Sequence, residues 1–177
     1  AIGTHPSDVN SVVNGSSLAN VKIRYIFDGR ASHAAGDPEK GRSAYDALEL
    51  MNIGVQFLRE HVIQEARIHY AVTDTGGEAP NVVQAHAEQL YMIRAPKIDQ
   101  VMDIYRRINL IANGDAMMTE TTCTIQFIKG CSNLLANKVV GRQMHKALVE
   151  IGVPEYTEEA FAWAEQYVNT VGNSGLD

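Results

Sequence analysis

Apolar and polar positions alternate with period two over 18–27, where Val21, Ile23, Tyr25 and Phe27 interleave with Asn20, Lys22, Arg24 and Ile26. This alternation and its β-branched and aromatic content predict a strand with one buried face. From Ser43 the period lengthens, and Ala44, Ala47, Leu48, Met51, Val55, Leu58 and Val62 fall on one helical face. A helix is expected from Ala44 to about His61, with Ser43 as N-cap and Asp46 at the capping-box position. Ile68, Tyr70 and Val72 alternate with Arg67, His69 and Ala71 and run into the turn-forming Thr73-Asp74-Thr75-Gly76-Gly77, which marks a second strand. Val82 to Ile93 reads as a third strand and hairpin partner of the second, its alternation slipping phase near Gln89 as a bulge would cause. Pro96 then suits a helix first turn, and Ile98, Val101, Met102, Tyr105, Ile108 and Ala112 trace an apolar stripe to about Met117. Cys123, Ile125 and Phe127 alternate with Thr122, Thr124 and Gln126 in a fourth strand that ends before Lys129 and Gly130.

The resulting order is βαββαβ, and the expected fold is α+β. It is a ferredoxin-like sandwich with a four-stranded antiparallel sheet and two helices on one face. An extended leading arm over 1–17 and a helical exit arm over 132–177 flank the core domain at 18–131. Two amphipathic helices, Lys138 to Ile151 and Thr157 to Val168, fill the exit arm, and the terminal GNSGLD reads as tail. Asp28 to Arg42, rich in Gly, Ala, Pro and charge, is a long loop of the kind that carries function.

Composition narrows the partners. Fifteen basic against 21 acidic residues give a net charge of −6, with no stripe of Lys or Arg, so nucleic acid is disfavoured. No apolar run reaches the roughly 20 residues that span a bilayer, so no membrane partner is expected. Two cysteines, Cys123 and Cys131, form neither a disulfide framework nor a zinc knuckle, which fits a reducing, cytoplasmic setting. The chain starts at Ala1 without an initiator Met, as a segment processed or excised from something longer would.

Three places could carry chemistry. His33 lies among small residues in Ala31-Ser32-His33-Ala34-Ala35-Gly36, where another chain or a ligand can come close to the imidazole, although a lone loop histidine is ordinarily a solvated one. Asn81 follows Gly76-Gly77-Glu78-Ala79-Pro80 in a turn, where an Asn ordinarily serves an αL or Asx-turn geometry. Arg94 ends a strand, suited equally to an ion pair or to a carboxylate ligand. Cys123 faces the core by parity, and Cys131 has no base beside it.

The stretches FDGRASHAA, GRSAYDALELMNIG, ARIHYAVTDTGGEAPNVVQAHAEQLYMIRAP and MTETTC with IKGCSNLL together resemble the metal-dependent aminoacylase and carboxypeptidase family of amidohydrolases over nearly the whole chain. The resemblance implies a lid, or dimerisation domain, inserted between two halves of a metal-bearing catalytic domain. The implied reaction is hydrolysis of an amide joining an aromatic acyl group to glutamate, or of a similar N-acyl amino acid, with a metal-activated water as nucleophile. Zinc or manganese is implied in the full-length parent and no metal in this segment. His5, in Thr4-His5-Pro6, resembles one family metal ligand, a remnant of a site completed elsewhere. By the same resemblance, His33 polarises the scissile carbonyl across a dimer interface, and Asn81 and Arg94 hold the substrate's polar end and carboxylate. The turn reads Asn81-Val82-Val83-Gln84, without the family's proline, and Lys129 stands where relatives place a second basic ligand. A homodimer through the first helix and the edge strand 66–73 is expected. The rival readings are a free-standing small-molecule-binding or regulatory module of the same topology, and an RNA-binding sheet, which would need aromatic and basic strand positions absent here.

Overall fold

The computed structural model describes residues 9–171 together with Gly3 and His5. The expected tail at 172–177 and the leading-arm positions 1, 2, 4 and 6–8 lie outside the described residues. Contacts divide the chain into one unit over Gly15–Leu135 and a second built from Ala1–Asn14 and Ala136–Asp177.

The first unit is the βαββαβ sandwich: β1 (Ala19–Asp28), α1 (Ala44–Arg59), β2 (Arg67–Asp74), β3 (His86–Ala95), α2 (Ile98–Met118) and β4 (Thr122–Cys131). Its antiparallel sheet has the order β2-β3-β1-β4, so β2 and β4 are the edges. The inward residues of β1, namely Val21, Ile23, Tyr25 and Phe27, are fully buried beneath the two helices. Ala44, Ala47, Leu48, Met51, Val55 and Leu58 of α1 face them. Ser43 caps α1 by accepting from the Asp46 N–H at 3.0 Å. Two phenols tie sheet to helices, Tyr25 donating to Asn109 Oδ1 at 2.7 Å and Tyr91 to Asn52 Oδ1 at 2.6 Å. Burial accordingly raises both tyrosine pKa values.

Four expectations need correction. On α2 Ile104 is buried in line with Val101, Ile108 and Ala112, whereas Met102 is 42% exposed, because it lies about 100° round the helix from Val101 and off that face. β3 begins at His86 rather than Val82, since 82–85 pair with the site loop instead of with β2. β3 keeps an unbroken in–out alternation, so the apparent slip at Gln89 is chemical: Gln89 is fully buried and its Nε2 donates to Met51 Sδ at 3.1 Å. The real irregularity lies opposite, on β2 between Val72 and Asp74. β4, finally, runs on through Lys129 and Gly130 to Cys131 by way of a bulge at Ile128.

The second unit carries α3 (Lys138–Ile151) and α4 (Glu158–Val171). Asn137 caps α3 by accepting from the N–H groups of Val139 and Val140, and Thr157 accepts from Ala160 N–H. Trp163 stacks on Tyr167 with ring centroids 5.7 Å apart.

Candidate functional site

The loop between β1 and α1 is stitched into place by backbone hydrogen bonds. Arg30 and Arg42 exchange N–H to carbonyl bonds of 2.9 and 2.8 Å, and Gly29 N–H reaches Ala85 O at 2.8 Å. Glycine is required at 29, where an added Cβ would lie 2.0 Å from the Arg42 carbonyl oxygen. Further along, Val83 N–H donates to Ser32 O and Ala34 N–H to Asn81 O, at 3.0 and 2.9 Å. This short bridge holds His33 beside Val82 and brings the two loop candidates, His33 and Asn81, onto one end of the sheet.

The imidazole is exposed but not loose. Its Nδ1 accepts from two backbone N–H groups, Ala35 at 3.2 Å and Gly36 at 3.0 Å. An atom that accepts twice cannot carry a proton, so the neutral ring holds its hydrogen on Nε2. Among the described residues Nε2 has no partner and remains an available donor. The small residues around His33 therefore do more than make room, because their N–H groups select the tautomer. Asn81 has neither of the ordinary reasons for an Asn in a turn. Its φ is not positive, since Glu120 is the described non-glycine residue with positive φ, and its side chain makes no hydrogen bond among the described residues. The Asn81 carboxamide is exposed and unspent.

Arg94 lies at the other end of β3, beside Asn20 on β1 and Arg67 on β2. Eight residue steps separate it from His86, about 27 Å of strand. One copy of the chain thus brings His33 and Asn81 together and leaves Arg94 far from both. Sequence reasoning missed the residues flanking the loop, where an open cleft of about 420 Å³ is lined by Asp28, Arg30, Arg42 and Glu120 among others. There Arg42 pairs with Glu120 at 3.0 Å. Asp28 meets His86 at 2.7 Å and, chiefly through that hydrogen bond, raises the histidine's pKa.

Metal-ligating chemistry is not gathered here. Among the described residues no group of three His, Cys, Asp or Glu side chains could hold a metal ion, so His5 belongs to no such group. Cys123 is half-buried, and burial with the nearby Asp115 charge pushes its thiol up to about 12, which makes it a packing residue.

The α+β sandwich with its two open edge strands is the fold of a dimerisation domain. The peptidase dimerisation domain family matches residues 15–120, and the chain belongs to that family. It is 47% identical to one of the subunits of p-aminobenzoyl-glutamate hydrolase from Escherichia coli (strain K12) over 171 residues, 97% of this chain and 36% of that protein. The human Xaa-Arg dipeptidase is 27% identical over 148 residues, 84% of this chain and 33% of its own length. The chain thus spans about a third of the length of the curated relatives it matches. Among solved structures, an aminobenzoyl-glutamate utilization protein from Klebsiella pneumoniae superposes with a TM-score of 0.64 at 20% identity, covering 76% of this chain and 34% of that one. A hydantoinase/carbamoylase family amidase from Burkholderia ambifaria superposes at 0.63 with 14% identity, covering 82% and 36%. Both share the fold.

Proposed function

We propose that this chain is the lid and dimerisation segment of a metal-dependent amidohydrolase that cleaves p-aminobenzoyl-glutamate or a similar N-acyl amino acid. Zinc or manganese would be held by the parent's catalytic part, since the described residues gather no ligand set. The observation that carries the reading is the doubly bonded Nδ1 of His33, which leaves Nε2–H as a positioned donor. Such a donor suits a scissile carbonyl oxygen as it gains negative charge. The exposed Asn81 carboxamide beside it can bond a polar substrate group.

Arg94 enters the same site through dimer geometry. β2 is an edge, and Tyr70 and Val72 on its helix side stay 41% and 39% exposed because α1 packs over β3 and β1. Pairing β2 antiparallel with its own copy would satisfy the edge and cover those side chains. The two-fold axis then sets the Arg67 end of one subunit against the Asp74 end of the other. Arg94 of one subunit would share a sheet end with His33 and Asn81 of the partner, three strand spacings or about 14 Å from the partner's β3. That distance suits an acyl-amino acid with a carboxylate at its far end.

By itself the chain should hydrolyse nothing, lacking a metal centre among its described residues. In the full-length parent, His33→Ala should lower kcat about 10²- to 10³-fold and leave KM nearly unchanged, as loss of a donor used in the transition state does. Unchanged kcat, or a KM effect alone, would remove His33 from the chemistry.

A further inference from the structure

Helix α2 ends on a residue that its own backbone disfavours. Thr121 N–H reaches Ala116 O at 2.9 Å and Glu120 N–H reaches Met117 O at 3.4 Å, the paired bonds of a Schellman motif with Glu120 at the left-handed position. Glycine is the usual occupant there, because a Cβ strains that conformation. Glu120 nonetheless sits at φ 53°, the positive-φ non-glycine residue among the described ones. Its carboxylate meets Arg42 Nε at 3.0 Å, in an ion pair whose side chains are 70% and 31% exposed. A pair so open to water contributes little stability, so the contact does not by itself offset the strain.

Arg42 carries the contact into the loop that bears His33. Its Nη1 donates to Glu39 O at 3.0 Å and to Gly41 O at 2.6 Å, gripping the 3-10 turn Pro38–Lys40 and the residue after it. The Arg30 side chain bonds Lys40 O in the same turn. Lys40 N–H bonds Asp37 O at 3.1 Å, and Asp37 N–H bonds His33 O at 3.0 Å. Gly41 closes the loop from the other side, where an added Cβ would lie 2.5 Å from Ser32 Oγ, beside His33. An unbroken run of contacts thus joins the end of α2 to the backbone of His33. One planar guanidinium makes all three Arg42 contacts at once, which the single ammonium of a lysine does not reproduce.

We propose that Arg42 and Glu120 are positioning residues for His33. They form a clasp between the α2–β4 turn and the β1–α1 loop, and it keeps the loop in the conformation whose Ala35 and Gly36 N–H groups fix the imidazole tautomer. The clasp rests on the reading of His33 as the donor to substrate, and both residues act through that ring rather than on substrate.

Glu120→Gly separates the clasp from stability, because glycine suits the left-handed backbone while the carboxylate is lost. In the 177-residue chain its Tm should equal or exceed that of the wild type. Amide exchange at Gly36 and Asp37 should nevertheless speed about tenfold, and the two ring-nitrogen NMR shifts of His33 should draw together as tautomers mix. Arg42→Lys should do the same to both readings. Glu120→Gln keeps an oxygen that accepts from Arg42 and should restore them. Unaltered exchange and ring shifts in Glu120→Gly or Arg42→Lys would overturn the proposal. So would a lower Tm of Glu120→Gly with faster exchange throughout β1, the mark of an ordinary structural contact. In the full-length parent, Glu120→Gly should lower kcat about tenfold with KM little changed, and should add no loss in a His33→Ala background. An added loss there would equally overturn it. If His33→Ala itself leaves kcat unchanged, the donor reading fails, while the ring shifts still decide the clasp.

Discussion

Asp115 shows how one side chain can set the pH response of a small domain. It sits on α2 only 4% exposed, with Oδ2 lacking any partner, and burial pushes its carboxyl up to about 6. Its unfolded value is near 3.8, so between the two values the native state holds a proton that the unfolded chain has released. The stability it contributes is complete below the lower value and lost as pH rises through the upper one. His86 acts in the same direction, because Asp28 raises its pKa above 6.5 and that contribution fades as pH climbs past the raised value. Urea midpoints should therefore show Asp115→Asn gaining on the wild type as pH rises from 4 to 7, with little further gain above. A constant difference across that range would mean Asp115 is not neutralised by folding. At this scale the sequence was legible where a side chain acts through its own type, as with the Ser43 cap. It was not legible where the effect lies in backbone donors, and nothing in the letters Ala35 and Gly36 announces that their N–H groups fix the His33 tautomer.

Elements were read from periodicity, and periodicity succeeds where one face is dry. β1, with four large inward residues fully buried, matched its expected span to within a residue. It fails at edges and junctions, where side chains are half-wet and the backbone finds partners other than the next strand. The segment 82–85 looks like a strand because Val82 and Val83 are β-formers, yet it pairs across to Ser32 and Asn81 accepts from Ala34. The bulge in β4 was equally hidden, since Phe127, on the helix side, and Ile128 are 52% and 47% exposed, so burial does not tell the two faces apart there. The loop that results from these cross-connections hangs on Gly29. Gly29→Ala should cost about 2 kcal/mol or more, since its Cβ would strike the Arg42 carbonyl and force the Arg30 to Arg42 bridge apart. Chemical denaturation measures the loss, and the His33 ring should show a broadened, averaged NMR environment. A variant as stable as the wild type would mean the loop is held elsewhere.

At the scale of the molecule the sheet is unfinished. Its four strands leave two edges, and β2 presents Tyr70 and Val72 beside unpaired backbone. If β2 pairs with its own copy as proposed, Val72→Lys should place like charges together at that two-fold junction and shift the chain to monomer in sedimentation at micromolar concentration. Phe127→Lys, on the opposite edge, should leave the dimer intact. Dissociation by the second and not the first would assign the contact to β4. The sequence revealed the dimerisation domain through several long stretches of resemblance. The separation of Arg94 from His33 and Asn81 needed the register, because thirteen residues of sequence say nothing of 27 Å of strand; that length is about eight residue steps.

On the proposed reading catalysis across a dimer would rest on His33, and subunit mixing in the parent enzyme tests it most directly. Subunits carrying His33→Ala would be combined with subunits lacking a catalytic-domain metal ligand, each inactive alone. In the heterodimer, one of the two sites joins an intact metal centre to an intact His33 from the other subunit, so activity should return to a substantial fraction of that expected for a single site. Heterodimers shown to form yet remaining inactive would mean His33 serves its own subunit or no site at all.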